Sequence, residues 1–462
     1  MIEKRLSVVL LVVDSLRARS LPIGNDNGPH VRFFRSLENE TVCFRRAYAP
    51  ECWTLPAHCS MFTGLLPSEH GAHFQTMAYT GTAPTVAELL SRRGYHTEIV
   101  TRNFIFDGTI PGITRGFQRN TRVLSDVGSF NPFALFLAIA KPRFRRHIRR
   151  TGFFHPSHRD SREFLKVFAR AMMPADRRAL TYILDRALSF RRKGRPYFLF
   201  GNLYDVHAPY PPTPRSILRP FWSLRGCMEN LMFPYAMSRL GAHAYLRPGF
   251  RLSDRGRDML LNRYHSAIQL MDEKLGEFYA AARRAGLLDD SLFILTSDHG
   301  EAFGEHGLYL HDASVFDTHL HVPLWVHHPG LRPAGVDEIV STRDLFGLLL
   351  TAAYGDVSDT ILSPMYRAQH PVALAEHFHY PHAGNVLAHY KQNIAAAIAG
   401  DHKVIVRPHA TEHYDLSADA DETRPRMAPL AEFDTACRHN GVPSWAIRPA
   451  LRHLRQWGAC QQ

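Results

Sequence analysis

Seven consecutive residues, SVVLLVV at 7–13, are apolar or small and stop at Asp14. An unbroken apolar run of that length predicts a central strand buried on both faces, with the aspartate at its carboxyl end. The same pattern recurs twice. PYFLFGNLY at 196–204 leads into Asp205 and His207, and SLFILT, which opens the stretch 291–301, leads into Asp298 and His299. HTEIVT at 96–101 and HVPLWVHHPG at 321–330 add two more strands. Between them the period lengthens to that of helices. Thr85 to Glu88 reads as a capping box for a helix running to about Arg93, with Gly94 as its stop. Residues 177–192, 254–286 and 342–355 carry helical patterns, and PVALAEH, NIAAAIAGD and HKVIVRP predict a C-terminal strand and hairpin. Strands alternating with helices give an α/β class.

Composition narrows the picture. The 462 residues are 45% hydrophobic, enough for a large core. The net charge of +12 favours anionic partners. The stretch 125–195 concentrates basic residues (KPRFRRHIRR) and predicts an inserted helical cap, open to anionic lipid or glycan. The sequence carries no zinc-finger spacing and no RNA-reading aromatic signature, so nucleic acid is not expected. The six cysteines are scattered without a CxxC pair, as free thiols of a reducing cytoplasm would be. No stretch approaches the roughly 18 apolar residues of a membrane span, and the N-terminal run is too short for a signal peptide.

Three strand ends bearing Asp14, Asp205 with His207, and Asp298 with His299 would meet along one sheet edge, where open α/β sheets bind ligands. Carboxylates mixed with imidazoles suit a hard or borderline divalent cation. A second chemical signal is ECWTLPAHCSMFTG, 51–64, which places Cys52, Thr54 and Cys59 about the start of a helix, where negative charge is favoured.

The four motifs VVLLVVDSLR, TLPAHCSMFTGLLPSEHGAH, FLFGNLYDVHAPYPP and LTSDHGEAFGEHGLYLHDASVFDTHLHVPLWVHHPG, in this order, resemble the sulfatase-like family of the alkaline phosphatase superfamily. GDHKVIVRP and EHYDLSADADETR resemble its C-terminal part. The resemblance implies an α/β/α sandwich with a mixed, largely parallel sheet and a small C-terminal α/β subdomain. Residues 1–365 would be the catalytic domain, with insertions at about 125–195 and 213–252, and 366–462 the subdomain. In formylglycine sulfatases a Cys is followed by x-Pro-x-Arg, and Thr-Gly lies nine and ten positions on. Counted back from Thr63-Gly64, that slot holds Thr54, with Pro56 two later and His58 in place of the Arg. Cys52 and Cys59 lack the motif. The resemblance therefore implies a threonine nucleophile, with Asp14, Thr54, Asp298 and His299 around one divalent ion (Mg, Mn, Ca or Zn). It gives His207 and His311 catalytic roles at the transferred group or leaving oxygen. His58, Asn103 and Asp205 are candidate substrate contacts, and His306, His319 and His321 are structural.

A second metal would need a late histidine such as His377, His379 or His382; the spacing Asp205-Val206-His207 is one step from the two-metal pattern. The expected activity is hydrolysis or transfer of a phosphate or sulfate ester on a small anionic substrate. Two alternatives stand beside it: a non-catalytic member that binds anions, glycan or lipid, and a true sulfatase modified at Cys52.

Overall fold

The structure, a computed structural model, describes residues 5–21, 31–123, 176–210, 240, 249–311, 313–379 and 391–459. Most of the basic stretch 125–195 and of the insertion 213–252 lies outside them, as does His382.

Two sheets organise the chain. The larger contains β1 (Ser7–Val13), β2 (Val42–Tyr48), β3 (His96–Thr101), β4 (Arg119–Arg122), β5 (Tyr197–Leu203) and β6 (Ser291–Thr296). A two-stranded ribbon, β7 (Ala302–Phe303) with β8 (Tyr309–Leu310), follows β6, and β9 (His321–His327), β10 (Ala334–Val336) and β11 (Val340–Ser341) return to the sheet. Its order is β10-β2-β9-β6-β1-β5-β3-β4, with β11 also on β2. Among the described strands of this sheet, only β9 runs against its neighbours. The sheet is thus mixed and largely parallel, as expected. The apolar pattern did not predict β2, whose two arginines in VCFRRAY break the run and whose register shifts between Phe44 and Ala47, nor the short strands β4, β10 and β11.

Alternation along the central strands explains the layers. Val9, Leu11 and Val13 of β1 face one core; Val8, Leu10 and Val12 face the other. On the first side pack α3 (Asp176–Arg192) and α4 (Asp254–Arg284), through residues such as Ile183, Tyr264 and Met271. On the second lie α1 (Thr54–Thr63), α2 (Val86–Arg92) and α5 (Leu345–Tyr354). Thr85 and Glu88 form the predicted capping box of α2. No helix among the described residues is long and apolar enough to cross a membrane.

The C-terminal sheet is antiparallel, β12 (Val372–His377), β13 (Ile394–Ala399), β14 (His402–Arg407), β15 (Ala410–Asp415) and β16 (Arg426–Met427) in sequential order. One face packs on α6 (Leu430–His439) and α7 (Ser444–Ala459), and the other joins the first core through Ala396, Ile398 and Ile405. The alanines of β13 keep both approaches close.

Candidate active site

The carboxyl ends of β1 and β6 are tied together by one hydroxyl. Ser297 Oγ donates to the Val13 carbonyl at 2.7 Å and accepts the Leu16 amide at 2.9 Å. This places Asp14 and Asp298 side by side. Ser15 adopts a positive φ of 64°, an uncommon conformation for a residue with a Cβ, and thereby aims its amide at Asp298 Oδ1, 3.2 Å away. Gly300 is fixed by close approach: a Cβ there would collide with the Thr318 carbonyl oxygen, and its amide donates to the His319 carbonyl at 2.7 Å.

Asp14, Asp298 and His299 are fully buried, and one ligand atom of each lies within 4.8 Å of the others. His299 Nδ1 donates to the Gly300 carbonyl at 2.9 Å, so the Nε2 lone pair faces inward, 3.4 Å from Asp298 Oδ2 and 3.8 Å from Asp14 Oδ1. Asp298 Oδ2 is buried with no hydrogen-bond partner among the described residues. Burial first, and then the Asp298 charge, push Asp14 up to about 7; burial pushes Asp298 to about 7 as well and holds His299 down to about 4. Two carboxylates and an imidazole lone pair converge with an unsatisfied oxygen among them. That donor set fits a divalent cation with oxygen and nitrogen ligands.

Thr54 enters from the opposite layer. It is the first residue of α1, while Trp53 holds the N-cap position without a side-chain cap. The Thr54 hydroxyl therefore does not serve as the helix cap. Its Oγ1 lies 3.5 Å from His299 Nε2. His58, one turn on, is buried among Phe62, Phe106 and Phe200, and its Nδ1 donates to the Thr54 carbonyl at 2.8 Å. Burial lowers His58 to about 3, so it is neutral. It buttresses the Thr54 turn from inside rather than lining a surface open to substrate.

The predicted imidazoles cap the same group. His207, partly exposed, stacks on Tyr204 and brings Nε2 to 4.0 Å from Asp14 Oδ1; its Nδ1 meets the Ala208 carbonyl. The His311 ring stacks 4.5 Å from His299 and stands edge-on to His207 at 4.7 Å. Asn103 donates from Nδ2 to Asp14 Oδ2 at 3.0 Å, a partner for the carboxylate rather than an outward-facing anion contact. Asp205 is drawn elsewhere. Its carboxylate is held by Arg102 at 2.6 Å and Lys274 at 2.5 Å, next to the buried Asp176, in an ion network beneath the strand end. His306 stacks on Phe316, His319 bonds the Leu310 carbonyl, and His321 bonds the Arg45 carbonyl.

Three contributors escaped the sequence reading. Asn202 donates to Asp14 Oδ2 at 3.3 Å, and Ser15 Oγ to Asp14 Oδ1 at 3.1 Å. Glu301, fully buried, accepts from His311 Nδ1 at 3.0 Å and Tyr210 at 3.0 Å. A lone amide inside the otherwise apolar PYFLFGNLY was the available signal for Asn202.

Comparison with known proteins bears on the family and the fold. The family model described as Sulfatase matches residues 7–355. Choline-sulfatase of Rhizobium meliloti (strain 1021) is 24% identical over 383 residues, covering 78% of this chain and 71% of that protein. Arylsulfatase of Clostridium perfringens (strain 13 / Type A) is 19% identical over 392 residues, 77% of this chain and 76% of the relative. The solved phosphonate monoester hydrolase from Silicibacter pomeroyi has the same fold, with a TM-score of 0.66 at 18% identity, over 98% of this chain and 96% of that one.

Proposed function

The chain belongs to the sulfatase family of the alkaline phosphatase superfamily, and on that premise we propose that it cleaves phosphate esters through Thr54, with Asp14, Asp298 and His299 holding one divalent cation. The observation that carries this reading is the 3.5 Å approach of Thr54 Oγ1 to the inward nitrogen of His299, beside two buried carboxylates. A cation bound there supplies Lewis-acid polarisation of the ester and lowers the pKa of a nearby hydroxyl.

The chain's own groups do the rest. Thr54 Oγ1 sits at a helix N-terminus, where anionic oxygens are favoured. Its attack gives up the hydroxyl proton to a basic neighbour or water, forms an oxygen–phosphorus bond and breaks the bond from phosphorus to the ester oxygen, and the departing alkoxide takes up a proton to leave as the alcohol. His207 and His311, at the edge of the group, are the imidazoles available to hold the transferred oxygens or give that proton. Water then attacks phosphorus, opens the phosphothreonine and restores the hydroxyl; an alcohol in place of water makes the reaction a transfer. Phosphate is favoured over sulfate because a formylglycine hydrate releases sulfate by elimination, a route closed to a threonine ester. Residues 1–365 would form the catalytic unit and 366–462 the subdomain beside it, and the basic stretch 125–195 would contact anionic lipid or glycan.

A sulfate-ester substrate is the second reading, favoured by the choline-sulfatase and arylsulfatase relatives. The test is turnover of aryl phosphate monoesters, diesters and aryl sulfates by metal-loaded protein, with mass analysis of the 51–64 peptide. Phosphate turnover with a phosphate-mass adduct on Thr54 is expected. Sulfate turnover alone, with an aldehyde at Cys52, overturns the threonine mechanism.

A further inference from the structure

Just ahead of Thr54 the chain gathers a second set of metal-ligand groups. Glu51 and Cys52 lie on the turn between β2 and α1, and His377 ends β12 in the C-terminal sheet. All three are buried, and a carboxylate oxygen, a sulfur and a ring nitrogen come within 4.8 Å of one another. His377 Nδ1 is 3.5 Å from Cys52 Sγ and 3.0 Å from Glu51 Oε1. The Cys52 amide donates to that same Oε1 at 2.8 Å. Glu51 Oε2 is left buried with no hydrogen-bond partner among the described residues. Trp53 stacks on Phe74 at 4.0 Å, and Phe74 meets the His377 ring edge-on, so the surroundings are apolar.

Hydrogen bonding accounts for only part of this. One ring nitrogen faces both a thiol and a carboxylate, and the second carboxylate oxygen is buried without a hydrogen-bond partner among the described residues. A tetrahedral zinc, with Zn–S of about 2.3 Å and Zn–N of about 2.05 Å, sets sulfur and nitrogen about 3.6 Å apart. The separation here is 3.5 Å. Thiolate and imidazole prefer zinc to magnesium or calcium. Neighbouring contacts already dock β12 at this turn: the Glu376 amide donates to the Pro50 carbonyl at 2.9 Å, and the Ser68 amide and hydroxyl both reach the Glu376 carboxylate at 2.7 Å.

We propose that Glu51, Cys52 and His377 form a second divalent-cation site, selective for zinc, that ties the C-terminal sheet to the turn carrying Thr54. It shares no residue with the Asp14–Asp298–His299 group and does not depend on the reaction proposed above. Three protein ligands leave one tetrahedral position for water. Bridging residues 325 apart in sequence, the ion would stabilise the docking of the two parts of the fold and the position of the nucleophile turn.

The test uses full-length protein, stripped of metal and titrated with cobalt or zinc. Cobalt-loaded wild type should show a thiolate-to-cobalt charge-transfer band in the near ultraviolet. The band should vanish in Cys52→Ser, need at least about tenfold more cobalt in His377→Gln, and persist in Asp298→Asn, where only the other site is damaged. X-ray absorption of zinc-loaded wild type should show a sulfur neighbour at about 2.3 Å, which decides the matter even where a variant does not fold. Cys52 is the only described cysteine within a ligand group. Absence of a sulfur neighbour in wild type, a band that survives Cys52→Ser, or cobalt affinity unchanged in His377→Gln overturns the proposal.

Discussion

Thr54 Oγ1 stands 3.5 Å from His299 Nε2, although 245 residues separate the two in sequence. The contact exists because α1 opens on one face of the sheet immediately beside the end of β6, and because His299 spends its other nitrogen on the Gly300 carbonyl. A hydroxyl, an imidazole lone pair and two carboxylates are thereby concentrated at one strand edge.

Thr54→Ala should reduce kcat by at least about 10³-fold while leaving the melting temperature within a few degrees, because the hydroxyl caps no helix and its hydrogen bond among the described residues is the 3.5 Å approach to His299. Thr54→Ser should keep more activity than Thr54→Ala. Steady-state kinetics on an aryl phosphate, with a melt of each variant, checks both. Equal activity of wild type and Thr54→Ala would remove the hydroxyl from the mechanism.

Asp298→Asn should abolish activity yet stabilise the metal-free protein. Burial raises Asp298 from 3.8 to about 7 in the fold. A carboxyl raised on folding gives its full stability below 3.8 and loses it as pH rises through about 7. At pH 8 the metal-free wild type therefore carries an unfavourable buried charge that asparagine lacks. Chemical denaturation with chelator at pH 8 should show the variant more stable by about 1–3 kcal/mol. Saturating divalent cation should reverse the order, since only wild type then binds it tightly.

His70 makes the opposite contribution. Its Nδ1 accepts the Ala72 amide at 3.0 Å, so Nε2–H donates to Ser60 Oγ, also at 3.0 Å, and no room is left for a second ring proton. Burial lowers it to about 3. The unfolded chain takes up this proton below 6.5, the folded chain only near 3, so stability is full above 6.5 and falls as pH drops toward 3. Between pH 7 and pH 5 wild type should lose about 2 kcal/mol more than His70→Gln, read from urea midpoints at the two pH values.

How much of this was legible beforehand follows from which groups were local. Asp14, Asp298 and His299 each end an apolar run, and a carboxyl end of a buried strand is where a ligand group has to stand. Thr54 was reached by counting positions within one short motif. What stayed hidden depends on contacts between distant segments. Asp205 ends a strand just as Asp14 does, yet Lys274 from α4 and Arg102 from the end of β3 draw its carboxylate into an ion network. No pattern in either helix or strand announces that partnership. Glu51 and Cys52 lie on the turn after β2 and His377 ends β12 in the other sheet, and only the docking of the two parts makes them a group. His58 occupies an arginine slot, but the three phenylalanines around it come from three different elements and leave no space for a charge.

Asn103 separates two roles that the sequence could not distinguish. As an anion contact it would act on substrate; the structure instead aims its amide at Asp14 Oδ2, 3.0 Å away, while its own Oδ1 accepts the Ile105 amide at 3.0 Å. Asn202 bonds the same Asp14 oxygen at 3.3 Å. With Oδ2 held by two amides, Oδ1 is the oxygen turned toward His299 and His207. Removing one amide frees the carboxylate to rotate, which should weaken cation binding without touching Thr54. Asn103→Ala is expected to raise the metal dissociation constant about 10–100-fold, the usual cost of losing a group that orients a ligand. At saturating metal, kcat and KM should return to within about threefold of wild type. Activity titrated against metal concentration reads both quantities. A normal metal titration with a KM raised at every metal concentration would place Asn103 on the substrate and overturn the orienting role.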